Sequence, residues 1–317
     1  MNDLKEKQLS AWGICAMSFI GVFLLPQTGW MATTILSVGT LVVVLVGNSM
    51  ATDSEGKVER YLGIPIFIWN IIMMSKVGRE ISVLHGTDSI LPGLLLLFLG
   101  YYGFRKGVMP VVGTVLLFFI GAVYGMIYLF SVSNIAPENL IPTGKLNLGN
   151  TVYGLCPILL LYMYGGESRK YRIPTMALIG LTALGAAVIT AGMGVADFYT
   201  ASMSVTLFGT MERLEPFVAC AGTVGAFCLM GLLLSVNENL WKKMMIEKKK
   251  YPALEIFLLS TVGLLLIPYI GDRIMTAGTT LCWGLAPVLT QLVVSGKNIR
   301  KKSKKLKKTL DKWEDIC

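Results

Sequence analysis

The sequence has few of the residues on which most catalytic and metal sites depend. One histidine, His85, occurs among the 317 residues, so catalytic triads, zinc clusters and proton relays that are built on histidine are excluded. The GxxxxGKS/T pattern that binds nucleotide phosphates does not occur either. We therefore expect a protein that is not an enzyme and that carries no cofactor and no metal ion.

Cysteine is also scarce, and its distribution argues against a framework of disulfides. The six cysteines show no CxxC spacing, and five of them lie within apolar segments. Isolated cysteines in apolar surroundings are usually small buried side chains. We expect that role, rather than disulfides or metal ligands, for Cys15, Cys156, Cys220, Cys228, Cys282 and Cys317.

Charged residues are few, and apolar residues take their place. Only 15% of the chain is charged and 54% is hydrophobic, with a mean hydropathy of +0.65. Soluble domains of this size do not normally have such a composition, which predicts an all-α integral membrane protein. The first apolar run ends in Pro26 and is followed at once by a second run. We therefore expect it to be retained rather than cleaved as a signal peptide.

The apolar pattern predicts about ten transmembrane helices, because stretches long enough to cross a hydrocarbon core recur along the chain. Spans four and six are the shortest of them. With ten spans, both termini lie on one side of the membrane. The predicted spans cover residues 10–26, 30–48, 62–82, 89–104, 108–130, 150–165, 174–194, 211–235, 252–269 and 274–295.

Basic residues indicate which side holds the termini. All but five of the 28 Lys and Arg residues fall in loops and tails on the side of the termini, which the positive-inside rule identifies as cytoplasmic. The net charge of +9 comes mostly from two clusters, residues 241–250 and 297–317. Contact with anionic lipid explains these clusters without a nucleic-acid partner, and docking of a partner protein is the alternative.

Two apolar segments are interrupted at corresponding positions of the two predicted halves. The first is broken at Gly21 and closed by Pro26, and the second contains Gly154 and Pro157. Such a pair of broken segments points to the substrate site of an inverted-repeat transporter fold. Unwound backbone there would offer free N–H and C=O groups to a small zwitterion. The alternative is that both segments are helices kinked or ended by proline, with no ligand.

Span three carries one uncharged amide at mid-depth, Asn70, together with Trp69, Met73 and Met74. A polar side chain at this depth usually faces the interior of the bundle. It would either contact a ligand or form a hydrogen bond between helices. The sequence leaves these two alternatives open.

Several charged and small residues in spans three, five and eight also need an explanation. Charged residues at membrane depth are functional candidates by default, which applies to Arg79 and Glu80 and to Glu212, Arg213 and Glu215. The alternative is structural: Arg79 and Glu80 would end span three in the interface. Arg213 would pair with a neighbouring glutamate at the start of span eight. Gly121 and Gly125 show a small-xxx-small spacing, which favours helix packing over a ligand loop.

The segment KEKQLSAWGICAMSFIGVFLLPQTGWMATTIL, which begins at Lys5, resembles the opening of the endospore germination permeases, the B subunits of nutrient germinant receptors. The matching features are a glutamine before the first span, a glycine within it, a Leu-Pro pair at its end and a tryptophan that opens the second span. The residues concerned are Gln8, Gly21, Leu25, Pro26 and Trp30.

Two further stretches extend the likeness over the chain. The sequence IAPENLIP from Ile135 is similar to the loop that follows span five in that family. The sequence MERLEPFVA from Met211 is similar to the Glu-Arg pair and the following acidic residue that open span eight. The order and spacing of these motifs are more specific than any one of them.

The resemblance implies a ten-span, amino acid permease-like protein of the APC superfamily, with a LeuT-type five-plus-five inverted repeat and broken helices one and six. The membrane domain would be residues 1–297, with repeats at about 10–130 and 150–295, followed by a basic cytoplasmic tail at 298–317. The protein would lie in the spore inner membrane with both termini cytoplasmic.

In that family the protein binds a small nutrient, commonly an amino acid, and acts with A-type and C-type subunits to trigger germination. The resemblance places the ligand at Gly21, Val22, Leu24, Leu25, Asn70, Met73, Met74, Tyr153, Gly154 and Cys156. It also suggests a structural or signalling cluster of Pro26, Pro157, Glu212, Arg213 and Glu215. The main alternative is an amino acid permease that translocates its ligand. A membrane scaffold without a small ligand is a third possibility.

Overall fold

The computed structural model of the chain is almost entirely helical in the residues that it describes. This confirms the prediction of an all-α protein. Two strands of two residues each, β1 (Thr206–Leu207) and β2 (Glu212–Arg213), pair in antiparallel fashion and do not change the class. The described residues are 30–50, 57–84, 89–141, 156, 160, 172–194, 206–207, 212–213, 215–244 and 252–289.

Eight α-helices are found in the described part of the chain. They are α1 (Trp30–Met50), α2 (Lys57–Leu84), α3 (Leu91–Lys106), α4 (Met109–Ser133), α5 (Arg172–Met193), α6 (Glu215–Met244), α7 (Pro252–Leu266) and α8 (Asp272–Thr279). Short 3-10 turns occur at Pro137–Leu140 and Ile267–Tyr269. A π-helix at Thr280–Leu285 continues α8, and residues 286–289 are again α-helical.

These helices coincide with predicted spans two to five and seven to ten. The largest shift is at α6, which begins after the β2 strand and runs on to Met244. Two of the helical segments, Val111–Ser133 and Pro216–Trp241, are long and apolar enough to cross a membrane by length and composition. Predicted spans one and six lie outside the described residues, apart from Cys156 and Leu160.

Proline and glycine define several helix ends. Pro92 and Pro110 each occupy the first turn of a helix, where the missing N–H costs no hydrogen bond. Gly107 ends α3 with a φ of 67°, and its N–H donates to the carbonyl of Gly103. This left-handed conformation strongly favours glycine, so α3 and α4 are separated by a tight, well-defined turn.

The helix α2 lies at the centre of the described structure. It packs against α3, α6 and α7, and these three helices also pack against one another. The helix α1 packs against α5, and α4 packs against α5 and α6. At the α2–α3 contact, a Cβ added to Gly93 would lie 2.6 Å from the carbonyl oxygen of Gly78. Glycine at this point is what lets the two backbones approach.

The outward surface of the described helices is apolar, whereas the interior contains polar groups. On α4, Phe118 is 78% exposed and Val111 is 69% exposed, and α1, α3 and α7 also expose large apolar side chains. Where the structure describes side chains, the buried polar ones are all Asn, Ser or Thr. This arrangement is unusual for a protein whose surface meets water.

Candidate functional site

A chain of hydrogen bonds crosses the centre of the structure at Asn70. The indole Nε1 of Trp283 donates to Asn70 Oδ1 at 2.6 Å, and Asn70 Nδ2 donates to Asn237 Oδ1 at 2.7 Å. Asn237 Nδ2 in turn approaches the carbonyl oxygen of Phe67 at 3.4 Å. Both asparagines are fully buried. The chain thereby links the π-helix, α2 and α6.

The direction of this chain follows from the chemistry of the indole. Trp283 can only donate, so the oxygen of the Asn70 amide has to face it. The nitrogen of Asn70 then faces Asn237, whose oxygen has to accept. One donor-only group therefore fixes the orientation of two amides on two other helices.

A second set of contacts joins α2 to α8. Trp69 Nε1 donates to Thr279 Oγ1 at 3.3 Å. The Thr279 hydroxyl lies 2.8 Å from the carbonyl oxygen of Met275 and 3.9 Å from Met73 Sδ. The ring of Trp69 occupies the space where a Cβ on Gly278 would be. The start of the π-helix is thus held closely against α2.

A third set joins α2 to α7. The Ser75 hydroxyl lies 2.8 Å from the carbonyl oxygen of Ser260, and the Ser260 hydroxyl lies 3.8 Å from Met74 Sδ. Gly263 leaves room for the side chain of Ser75. We call the hydrogen-bonded side chains of these three sets the polar network, which consists of Trp69, Asn70, Ser75, Asn237, Ser260, Thr279 and Trp283.

Four of the ten predicted ligand residues lie in or beside this network. Asn70 belongs to it, and Met73 and Met74 supply sulfur atoms that contact its hydroxyl groups. Cys156 is buried, with its Sγ 3.1 Å from the position that a Cβ on Gly284 would take. Gly284 follows Trp283 directly. The structure therefore brings part of the second predicted half-site close to the Asn70 region.

Of the other predicted site residues, three lie in described elements. Glu212 and Arg213 form β2, in register with Leu207 and Thr206, and Glu215 begins α6. The remaining predicted residues lie outside the described part of the chain, and their roles stay predictions. They are Gly21, Val22, Leu24, Leu25, Pro26, Tyr153, Gly154 and Pro157.

Two of the segments on which the family resemblance rests contact each other. The indole Nε1 of Trp30, at the start of α1, donates to the carbonyl oxygen of Leu140 at 3.1 Å. Asn139 Nδ2 donates to the carbonyl oxygen of Ala191 at 3.1 Å, and Ala136 N–H donates to the same oxygen at 2.9 Å. The segment after α4 thereby ties the beginning of α1 to the end of α5.

Two smaller expectations concern the charges of α2 and the glycines of α4, and the interface position of Arg79 and Glu80 stays a prediction. Glu80 lies near the end of α2 and pairs with Lys76 at 3.4 Å across one helical turn. A Cβ added to Gly121 or Gly125 would meet no described atom within 4 Å. The prediction of helix packing through these glycines therefore finds no support among the described helices.

Several network residues were not identified from the sequence. Asn237 carries much the same signal as Asn70, an amide that directly follows a long apolar run within one helix. Trp283 has no such signal, because a tryptophan in an apolar segment is ordinary. Thr279 and Ser260 have none either, because small hydroxyls in helices usually bond to their own backbone, as both also do here.

Comparison with known proteins does not identify a family for the chain. No protein-family model matches the chain, and no curated protein matches it. The geometry of the polar network and the pattern of the sequence are thus the grounds on which its function can be argued.

Proposed function

We propose that the chain is a multi-pass membrane protein that serves as the membrane subunit of a nutrient germinant receptor. The observation that supports the membrane setting is a buried polar network inside a bundle whose outward side chains are apolar, and the receptor role rests on the resemblance of the sequence motifs. Asn70 and Asn237 are fully buried, whereas Phe118 and Val111 point outward. In water such a surface promotes aggregation, but in lipid it is the expected arrangement.

The pairing of helices supports a five-plus-five repeat. In such a repeat, α1, α2 and α3 correspond to α5, α6 and α7. The pairs α1–α5, α2–α6 and α3–α7 then map onto themselves, and each is in contact. The α2–α7 contact maps onto α3–α6, and α2–α3 maps onto α6–α7, and all four contacts occur. An internal two-fold relation requires such reciprocity, as it does between subunits. The six helices α1–α3 and α5–α7 meet this requirement, whereas the α4–α5 contact has no counterpart of similar extent between α8 and α1 in the described structure.

The proposed ligand is a small nutrient, an amino acid, bound where the two interrupted segments meet the polar network. Cys156 contacts Gly284, and the neighbouring Trp283 bonds to Asn70. A ligand at residues 153–156 would therefore be close to a hydrogen-bond chain that reaches three helices. The interrupted segments would supply backbone groups for the charged ends of a zwitterion.

The polar network favours a sensor over a proton-coupled transporter. Among the residues whose side chains the structure describes, no Asp, Glu, Lys, Arg or His is buried, and proton relays need ionisable side chains at membrane depth. A bundle with a few discrete hydrogen-bonded arrangements is suited to passing a signal to A-type and C-type subunits. In this proposal the termini are cytoplasmic, and residues 241–250 and 297–317 contact anionic lipid of the spore inner membrane.

The first test is genetic. A deletion strain should lose germination in response to one amino acid or a few, while its response to unrelated germinants is retained. Met73→Ala should raise the nutrient concentration needed for half-maximal germination, with subunit levels unchanged, because it alters the packing beside Asn70 and Thr279. Phe118→Ala, on the exposed face of α4, is the matched control and should leave the dose response unchanged.

Other outcomes would point to the other functions. Uptake of a labelled amino acid into vesicles that contain this chain alone would identify a permease. Loss of the partner subunits from the membrane, with no change in dose response in Met73→Ala spores, would identify a scaffold. A deletion strain that germinates normally with every nutrient would overturn the receptor proposal.

A further inference from the structure

The π-helix Thr280–Leu285 is the irregular part of an otherwise regular helical element. A π-turn holds one more residue than the α-helical turn it replaces, and such segments are rare and often occur at functional sites. Here the extra residue has a visible result. It places the indole of Trp283, which is 1% exposed, within 2.6 Å of Asn70 Oδ1.

Two glycines, one just before the π-helix and one within it, make close contacts with other parts of the chain. On the N-terminal side, Gly278 lies against the ring of Trp69 with no room for a side chain. Within the π-helix, Gly284 lies against the sulfur of Cys156, where a Cβ would be 3.1 Å from Sγ. The first contact anchors the segment to α2. Because of the second contact, a movement of Cys156 would also move Gly284.

We propose that Thr280–Leu285 is a two-state element whose π form holds the Trp283–Asn70 hydrogen bond and whose α form releases it. Removal of one residue from a helical turn rotates the following side chains by about 100° relative to those before it. Trp283 cannot keep its N–H directed at Asn70 through such a rotation. The segment therefore switches between a bonded and a released state rather than deforming gradually.

Release of Trp283 has a consequence beyond the π-helix. Asn70 Oδ1 loses the donor that sets the orientation of its amide, and the Asn70 amide sets that of Asn237. A change at residue 283 is thereby passed to α6 through two hydrogen bonds. A two-state element whose equilibrium is biased at both sites is a physical basis for coupling between them.

This inference rests on the proposed function in one respect only, namely that a ligand at residues 153–156 would be what displaces Cys156. The switch itself belongs to the helices and can be measured without a nutrient. Amide hydrogen exchange of the purified full-length protein in detergent reports it, because the π and α forms protect different backbone N–H groups.

The main test compares Trp283→Phe with Leu281→Ala. Phenylalanine keeps an aromatic ring but loses the N–H, so exchange in peptides covering 280–285 and Asn237 should become about tenfold faster, the factor that corresponds to one hydrogen bond. Leu281 lies in the same π-helix and is exposed, so its substitution should leave exchange unchanged. Exchange in α3 serves as the check that each variant is folded. Rates in Trp283→Phe within twofold of the wild type would overturn the proposal.

A second pair of variants tests the input side of the switch and covers the case in which Trp283→Phe does not fold. Gly284→Ala introduces a methyl group against Cys156 and should accelerate exchange at 280–285. Cys156→Ala in the Gly284→Ala background removes the opposing sulfur and should restore slow exchange. Failure of this rescue would overturn the assignment of Cys156 as the input. A germination assay plays no part in these measurements, so their failure is distinct from failure of the receptor proposal.

Discussion

The most apolar stretches of α4 and α6 are almost equally hydrophobic, yet they occupy opposite environments. In the most apolar window of α4, 27% of the residues are buried, compared with 67% in that of α6. On α4, side chains such as Phe118 point away from the described protein, whereas Leu233 on α6 is fully buried. Composition alone therefore cannot tell a helix that faces the outside from one that forms the core.

The difference lies in what each helix contacts. The helix α6 packs against α2, α3, α4 and α7, and its single buried amide, Asn237, bonds to α2. The helix α4 packs against α5 and α6 and leaves its other side uncovered by described residues. If the chain spans a membrane, lipid covers that side. Substitutions in these two environments should differ in their effects on folding and stability, and they are taken from the largest expected effect to the smallest.

The largest effect is expected for a charge placed in each helix. Leu233→Arg buries an unpaired guanidinium in the core and should cost more than about 4 kcal/mol, which abolishes folding. Phe118→Arg faces lipid in our proposal and should cost about 2.5–3.5 kcal/mol of insertion free energy near mid-depth. The amount of monodisperse protein extracted from membranes, measured by size-exclusion chromatography, reports both effects.

This comparison also tests whether α4 faces lipid at all. At a water-exposed position, Phe118→Arg should change stability by less than about 0.5 kcal/mol. Normal yield and thermal stability of Phe118→Arg, together with loss of Leu233→Arg, would show that the exposed side of α4 meets water. That result would remove the main support for a multi-pass membrane protein.

The next largest effect is expected from removal of an amide in the core compared with removal of one at the end of α4. Asn70→Ala leaves the N–H of Trp283 and the Oδ1 of Asn237 without the bonds they make now, and each unmet buried group costs about 1–3 kcal/mol. Asn134 is the control, because it lies exposed at the end of α4 and bonds only locally, to the carbonyl oxygen of Phe130 at 2.9 Å. Asn134→Ala should lower the thermal midpoint only slightly. Equal shifts for both variants would contradict a structural role for the network.

Glycines provide a third comparison. At Gly93 a Cβ would come within 2.6 Å of the Gly78 carbonyl oxygen, so α2 and α3 have to separate. Gly93→Ala should therefore destabilise the protein by about 1–3 kcal/mol, as overpacked sites do. At Gly121 a Cβ meets no described atom within 4 Å, and Ala is preferred over Gly in a helix by up to about 1 kcal/mol. The thermal midpoint should fall for Gly93→Ala and stay level or rise for Gly121→Ala. A fall at Gly121 would reveal a partner packed on α4.

The sequence identifies helices and single polar residues well, but not how they meet. Asn70 was found because an amide within an apolar span is costly unless it has a partner. Asn237 satisfied the same criterion, but the predicted end of its span at residue 235 excluded it. Average hydropathy falls there as Glu238 and Lys242 follow, although the helix continues to Met244. A predicted span ends where the hydropathy falls, whereas a helix ends where its backbone hydrogen bonds end, so the two boundaries need not coincide.

The π-helix was not predicted from the sequence either, for a different reason. No residue within Thr280–Leu285 demands an extra residue in the turn, since the segment reads TLCWGL and none of these is proline. The irregularity accompanies contacts with Trp69, Asn70 and Cys156, which are more than 100 residues distant in the sequence. Contacts of this range cannot be deduced from local pattern, and the role of Trp283 could not be predicted for the same reason.

The smallest effect is expected at the end of α2. Lys76 and Glu80 pair at 3.4 Å across one turn, and the Glu80 side chain is 54% exposed. The Lys76 side chain is 20% exposed. Pairs at this spacing on helix surfaces contribute about 0.3–0.5 kcal/mol, and salt screens them. Glu80→Gln should therefore lower the thermal midpoint by a small amount at low ionic strength and by none in 1 M NaCl. A large loss that persists in salt would mean that the Glu80 carboxylate meets an apolar medium. The apolar medium would then extend along α2 beyond Glu80, and its boundary with water would lie farther toward the end of the helix.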